Sequence, residues 1–381
     1  VRASYGQLGN DQIDPNAYIV TAESNVPYFL NNQPVLGAAI TQIKDRDVQW
    51  ETTTEYDVAV EFGSLNNRLT GELTYYNKLT NDALIPVNIP GLFGDPDNQF
   101  ITNAADISNR GFEVSLNWRD KVGSDWNYNI GVNATFNKNR IENLNGGQAL
   151  FGGANNVTRS DNGVAAGSFF VLRATGVFQT QEEIDAYPRY TFLTPRPGDL
   201  RYADANGDGV IDLRDRVYAG AYQPPVYFGI NGGVSYRQFD LSFVFSGNLN
   251  NDVYNRKKQA SFAVTDNIEA DFAANRWTAA NPSSTNPSAV RNNTPNSTYF
   301  VESGSYLRLN NLVLGYALPV DLAKRAKIAS ARVYATAQNL FTLTGYSGFT
   351  PELPGGPLDA GIEATTYPTS RTLALGLNLT F

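Results

Sequence analysis

The chain ends in a segment with one oily side. In Ser370-Arg-Thr-Leu-Ala-Leu-Gly-Leu-Asn-Leu-Thr-Phe381, the residues Leu373, Leu375, Leu377, Leu379 and Phe381 alternate with Ala374, Gly376, Asn378 and Thr380. Successive side chains of a β-strand point to opposite faces, so this period gives one apolar side and one small, polar side. A soluble sheet can carry that pattern. A strand that stops at a C-terminal aromatic without a polar tail is more typical of an outer-membrane β-barrel.

The same alternation recurs upstream. Trp126, Tyr128, Ile130, Val132, Ala134 and Phe136 oppose Asn127, Asn129, Gly131, Asn133 and Thr135. Phe112, Val114, Leu116 and Trp118 oppose Glu113, Ser115 and Asn117, and Tyr56, Val58, Val60 and Phe62 oppose Asp57, Ala59 and Glu61. Further segments lie near 69–80, 226–236, 238–249, 303–317 and 329–343. With a strand at the start of the chain the alternation gives about ten strands, each near the length a tilted membrane strand requires. Around Asn310-Asn311 the pattern slips, which predicts a β-bulge. From Arg332 to Phe341 both faces are mixed.

Alternation alone does not separate a sandwich from a barrel, because either has an apolar and a polar face. Connection lengths do. Long segments (7–53, 81–108, 140–225, 250–302 and 344–369) alternate with short ones (64–68, 120–125, around Arg237, and a moderate 318–328). Outer-membrane barrels have short periplasmic turns and long extracellular loops. Placing Phe381 on the periplasmic side puts every long connection outside the cell. Ser168–Phe178 also reads as strand, but counting it as a span breaks this parity, so it belongs to a folded external loop. The fold class expected is all-β, a transmembrane antiparallel β-barrel.

Composition removes much chemistry. The chain has no His, no Cys and no Met, and its formal net charge is −8. Histidine-based triads, thiol chemistry and most soft-metal sites are excluded. The acidic balance argues against nucleic acid as a partner. A chain opening Val1-Arg-Ala-Ser-Tyr without Met or signal segment is expected to be a piece whose N-terminal part lies elsewhere. No apolar run reaches the length of a transmembrane helix. The mean hydropathy of −0.32 resembles a soluble protein, but polar lumen and loop residues give barrels such values too.

One motif has metal-ligand spacing. Asp204, Asn206, Asp208, Val210, Asp212 and Asp215 fall at positions 1, 3, 5, 7, 9 and 12 of an EF-hand loop, with Asp in place of the usual final Glu. Hard oxygen donors at alternating positions suit Ca²⁺, Val210 offering its backbone carbonyl. Gly209 permits the sharp turn and Ile211 is expected to pack beneath the loop. Without flanking helices the expected role is a structural clip, not a sensor. The alternative is a metal-free Asn-Gly and Asp-Gly turn. Asp57, Glu61, Glu72, Glu113 and Asp240 alternate with apolar residues and so are expected on the lumen face. A glycosidase would need two of them a few ångström apart with tuned acidity; solvated lining is the reading preferred. Phe112, Trp118, Trp126 and Tyr128 are candidates for an interfacial girdle, and the loop aromatics Phe93, Phe151, Tyr187, Tyr190 and Trp277 for ligand or partner contacts.

Several longer segments resemble one family. Arg2-Ala-Ser-Tyr-Gly-Gln-Leu-Gly-Asn10, Asn109-Arg-Gly-Phe-Glu-Val-Ser-Leu-Asn-Trp118 and Gly198-Asp-Leu-Arg-Tyr-Ala-Asp-Ala-Asn-Gly-Asp-Gly-Val-Ile-Asp212 are similar to the SusC/RagA-like TonB-dependent transporters of Bacteroidetes. So are Tyr306-Leu-Arg-Leu-Asn-Asn-Leu-Val-Leu-Gly-Tyr-Ala-Leu-Pro319 and Ala331-Arg-Val-Tyr-Ala-Thr-Ala-Gln-Asn-Leu-Phe341. The resemblance covers essentially the whole chain in order. It implies the last ten or so strands of a 22-stranded barrel filled by an N-terminal plug that this chain lacks. It also implies a SusD-like surface lipoprotein as lid and TonB–ExbB–ExbD acting through the plug, with outer-membrane lipid around the wall. The function expected is active import of oligosaccharides or peptides across a Gram-negative outer membrane, without covalent chemistry. The competing readings are a Ca²⁺-stabilised β-rich lectin or adhesin and, more remotely, a barrel enzyme.

Overall fold

A computed structural model describes all residues except 14, 41, 90–98, 263–266, 289–293, 326 and 365. Ten strands form one antiparallel sheet in chain order. They are β1 (Arg2–Asn10), β2 (Glu51–Ser64), β3 (Leu69–Asn88), β4 (Gln99–Val122) and β5 (Trp126–Leu144). There follow β6 (Val226–Tyr236), β7 (Phe239–Leu249), β8 (Tyr306–Ala317), β9 (Ser330–Thr344) and β10 (Thr372–Thr380). The order never crosses over, so each strand pairs with its sequence neighbours and β1 and β10 form the two edges. This is the meander that short turns at 65–68, 123–125 and 237–238 impose.

Register keeps like with like. Val58 lies opposite Tyr75, which lies opposite Phe112, which lies opposite Phe136, which lies opposite Val226. The other face aligns Ala59, Thr74, Glu113, Thr135 and Tyr227 in the same way. At the far edge Leu375 lies opposite Ala335, with 86% of its surface exposed, and Leu373 is 73% exposed. An apolar face this continuous exceeds what soluble monomers present to water. No helix among the described residues is long and apolar enough to cross a membrane, so any crossing is made by these strands.

The bulge at Asn310-Asn311 is present. Register shifts there against β7 on one side and β9 on the other. Across from it Asn339 adopts φ 49°, adding a residue to β9. Val333, Ala335, Ala337, Phe341 and Leu343 all share the apolar side, so the phase slip falls on β8, where Leu314 and Leu312 give way to Leu309 and Leu307. Alternation holds on each side of the bulge and shifts phase within it.

The segment 81–108 differs from expectation. β3 continues to Asn88 and β4 begins at Gln99, so most of the expected loop is wall. At 20 and 24 residues these strands are about twice what a membrane crossing takes. Their alternation is interrupted by register shifts between Thr80 and Leu84, which hid the continuation in the sequence. The extension is held by a core of its own: Ala83, Ile85, Ala105, Ile141 and Leu144 pack with Leu150 and Leu358 from the connections.

The long connections fold together. Ser168–Leu172 joins a four-stranded sheet outside the wall, and Ala174–Val177 a two-stranded one, so Ser168–Phe178 is not a wall strand. Phe169, Val171, Tyr254, Phe262, Phe272 and Phe300 close one core, drawing on both 140–225 and 250–302. A second gathers Leu172, Val177, Phe178, Tyr190, Leu200, Tyr202 and Ile211. These connections form a packed body standing on one end of the sheet.

Candidate functional site

The polar face of the sheet and the loop body above it enclose the candidate site. Cross-strand pairing puts Asp57, Glu61, Glu72, Glu113 and Asp240 on this face, as their alternation required. Glu61 and Glu72 are direct partners. Arg2 bridges them, its Nη2 donating to Glu72 Oε1 at 2.8 Å and its Nη1 lying 3.5 Å from Glu61 Oε1. The guanidinium thus lies between the two carboxylates of the pair. Ser4 donates to Asp57, and Arg332 grips Asp240 through Nε at 2.9 Å and Nη2 at 2.5 Å. A cavity of about 540 Å³ lies among Arg2, Glu55, Asp57, Glu72, Tyr76, Lys78, Glu113 and Tyr227.

Towards the loop body, Lys78 and Asn109 also line a second cavity of about 470 Å³. Its other walls are Glu51, Asn139, Tyr222 and Gln223, with Gly355-Gly356-Pro357 from the last long connection. That connection is latched to the wall. Glu352 accepts from Tyr306 and Arg308 of β8, and Tyr222 Oη both donates to the Leu353 carbonyl and accepts from its N–H. Sequence reasoning named none of these residues. Their signal was the length of 344–369; its path over the polar face follows only from the fold.

The loop aromatics are distributed otherwise than expected. Tyr190 is buried, and Tyr187 and Trp277 pack on the same core. Trp277 Nε1 donates to Gln179 at 3.0 Å. These rings hold the loop body together. Phe151 is partly exposed on that body, and Phe93 lies outside the described residues. Of the girdle candidates, Trp126 stacks on Tyr236 at 4.3 Å beside the 123–125 turn.

The 204–215 loop is tied by hydrogen bonds within itself. Gly207 and Gly209 take φ 76° and 78°, and Ile211 is buried beneath. Asp204 accepts from the N–H groups of Gly207, Asp208 and Gly209, and Asn206 Oδ1 accepts from Asp208 N. Asp215 is buried, accepting from Ala205, Asn206 and Asp212. Arg214 lies against Asp208 at 2.9 Å and Asp212 at 2.7 Å. Hydrogen bonds from its side chain and backbone hold the Asp212 carboxyl below the usual range. The all-oxygen donor set fits a hard cation in kind. In placement, no three carboxylates among the described residues are gathered as a ready-made metal cluster, and Arg214 supplies the counter-charge.

No family model matches the chain. A TonB-dependent receptor of Formosa agariphila is 35% identical over the whole chain, and TonB-dependent receptor SusC of Bacteroides thetaiotaomicron is 29% identical over 88% of it. The chain spans 40% of the first relative's length and 32% of the second's. Among solved structures, a RagAB peptide transporter superposes over the whole chain and 40% of its own, with TM-score 0.81 and 25% identity. In sequence and in fold, the chain is similar over its full length to a barrel portion of the TonB-dependent receptors.

Proposed function

We propose that the chain is the C-terminal part of the wall of an outer-membrane importer. Its apolar face meets lipid, its polar face lines the passage, and its loop body forms the outer mouth. In this reading the remainder of the barrel and the plug complete the passage, a SusD-like surface lipoprotein covers the mouth, and TonB–ExbB–ExbD supplies the energy through the plug. The observation that carries the reading is the two-faced ten-stranded sheet, matched in full by proteins named as TonB-dependent receptors. The cargo is an oligosaccharide or a peptide. The amide, tyrosine and charged side chains around Lys78, Asn109, Asn139 and Tyr222 offer hydrogen bonds suited to either, and one matched structure is of a peptide transporter. The experiment is uptake of labelled oligosaccharide and peptide pools by cells carrying the gene or a deletion of it. Uptake lost on deletion, and abolished by collapsing the proton-motive force, is expected. A folded protein soluble in plain buffer contradicts the reading and favours a lectin or adhesin.

The 204–215 loop in this reading holds Ca²⁺ through Asp204, Asn206, Asp208, Val210, Asp212 and Asp215. The ion and Arg214 are alternative counter-charges for Asp208 and Asp212, so occupancy releases the guanidinium to solvent. Chelation is expected to raise protease cutting within 179–225 while the barrel stays intact. Unchanged cutting after chelation overturns the assignment.

A further inference from the structure

The four-stranded sheet of the loop body has a solvent face that no function described above uses. Its inner face is buried through Thr158, Ser160, Phe169 and Val171. On the outer face Phe151 lies directly opposite Arg159, and Phe170 directly opposite Tyr218. Arg216 stands two residues before Tyr218 on the same strand and so shares its side. Both guanidiniums rest on the same two rings. Arg159 Cζ lies 4.8 Å from the Phe170 centroid and 5.7 Å from that of Phe151. For Arg216 the distances are 5.1 Å and 5.9 Å. Like charges are rarely brought onto one pair of rings without matching acids, because each repels the other at short range.

Among the described residues the counter-charge is incomplete. Asp161 takes Arg159 Nη2 at 2.5 Å and also accepts from Tyr218 Oη at 3.2 Å. Among the described residues Arg216 is fixed by carbonyls, donating from Nε to Leu213 and from Nη1 to Asn156, both at 3.2 Å. One carboxylate therefore faces two guanidiniums. Carbonyls orient Arg216 but bring no charge, while the rings beneath hold both planes flat and restrict their rotamers. Two fixed, planar donors with an unbalanced charge match an oxyanion, whose paired oxygens suit the guanidinium fork.

We propose that Arg159 and Arg216, seated on Phe151 and Phe170, form a binding site for a single oxyanion group, a sulfate or a carboxylate. The site lies on the loop body, on a face separate from the cavities along the polar side of the wall. It is independent of the import reading, since an oxyanion site can be present or absent whether or not cargo passes the wall. Asp161 competes with the ligand for Arg159, which sets a modest affinity.

The test uses the protein carrying this chain, purified whole in detergent at constant ionic strength. Inorganic sulfate, glucuronate and glucose are titrated separately by calorimetry, with chloride as the balancing ion. Saturable binding of sulfate or glucuronate, with none of glucose, is expected. Glucuronate tighter than sulfate identifies a carboxylate as the anion, and the reverse order a sulfate. Arg216→Gln is expected to weaken binding at least tenfold, and Asp161→Asn to strengthen it several-fold by freeing Arg159. The Asp161→Asn arm keeps the test decisive should loss of an arginine disturb the sheet. No saturable binding of either anion, or equal binding by Arg216→Gln that is still folded by circular dichroism, overturns the proposal.

Discussion

Gly111 is where two strands come closest to excluding a side chain. A Cβ built on it would overlap the Phe136 carbonyl oxygen of the neighbouring strand and approach the Tyr76 hydroxyl. Backbone cannot move aside as a flexible side chain can, so Gly111→Ala should part the β4–β5 ladder and cost about 1–3 kcal/mol. The measurement is the temperature at which the folded gel band of the heated protein is lost. It should fall for Gly111→Ala and stay unchanged for Gly146→Ala, where nothing lies within 4 Å of the added carbon. A second residue-scale case is Tyr346, whose hydroxyl donates to the buried Glu363 carboxylate. Tyr346→Phe leaves the Phe349 N–H, at 3.0 Å, as the donor to Glu363 among the described residues. Losing a charge-assisted bond at a buried acceptor costs about 1–3 kcal/mol, so hydrogen exchange should quicken across 344–369. Unaltered exchange there would show that the bond contributes nothing.

At the scale of elements, connections far apart in sequence are tied by a few buried polar groups. Glu302 accepts from the Ser347 N–H and hydroxyl at 2.9 Å and from Lys258 at 3.3 Å. Burial pushes its carboxyl up, but these hydrogen bonds and the Lys258 charge outweigh it, and the net shift is downward. A carboxyl held below its unfolded value contributes stability above about pH 4.3 and loses it as the pH falls through the folded value. Acidification below about pH 4.3 should therefore lower the hydrogen-exchange protection factors in 250–302 and 344–369 together. Glu302→Gln should remove that component of the acid response, and an identical acid profile in the variant would refute the link. Wall strands, the Asn310-Asn311 bulge and the lumen carboxylates were legible in the sequence, because period-two alternation encodes them directly. The reach of β3 and β4 past residue 80 was not, because two register shifts break the alternation. Nor was the burial of Tyr190 and Trp277: aromatics in a long connection look alike whether they bind a ligand or fill a core.

For the whole molecule, the account rests on which face of the sheet meets hydrocarbon. Exposed apolar side chains such as Val58, Phe112, Leu314 and Leu375 share one side, and Asp57, Glu113, Arg308 and Asn378 share the other. The loop body latches onto the polar side through Glu352. The chain contributes no cysteine, so single thiols can be placed without background from it. The most direct measurement is spin-label accessibility in lipid nanodiscs, with labels at Val58→Cys and Leu375→Cys on one face and Glu113→Cys and Asn378→Cys on the other. The account predicts that the first pair collides with lipid-dissolved oxygen and is shielded from a water-soluble nickel complex, while the second pair shows the reverse. Equal nickel accessibility on both faces, or the opposite assignment, would contradict it.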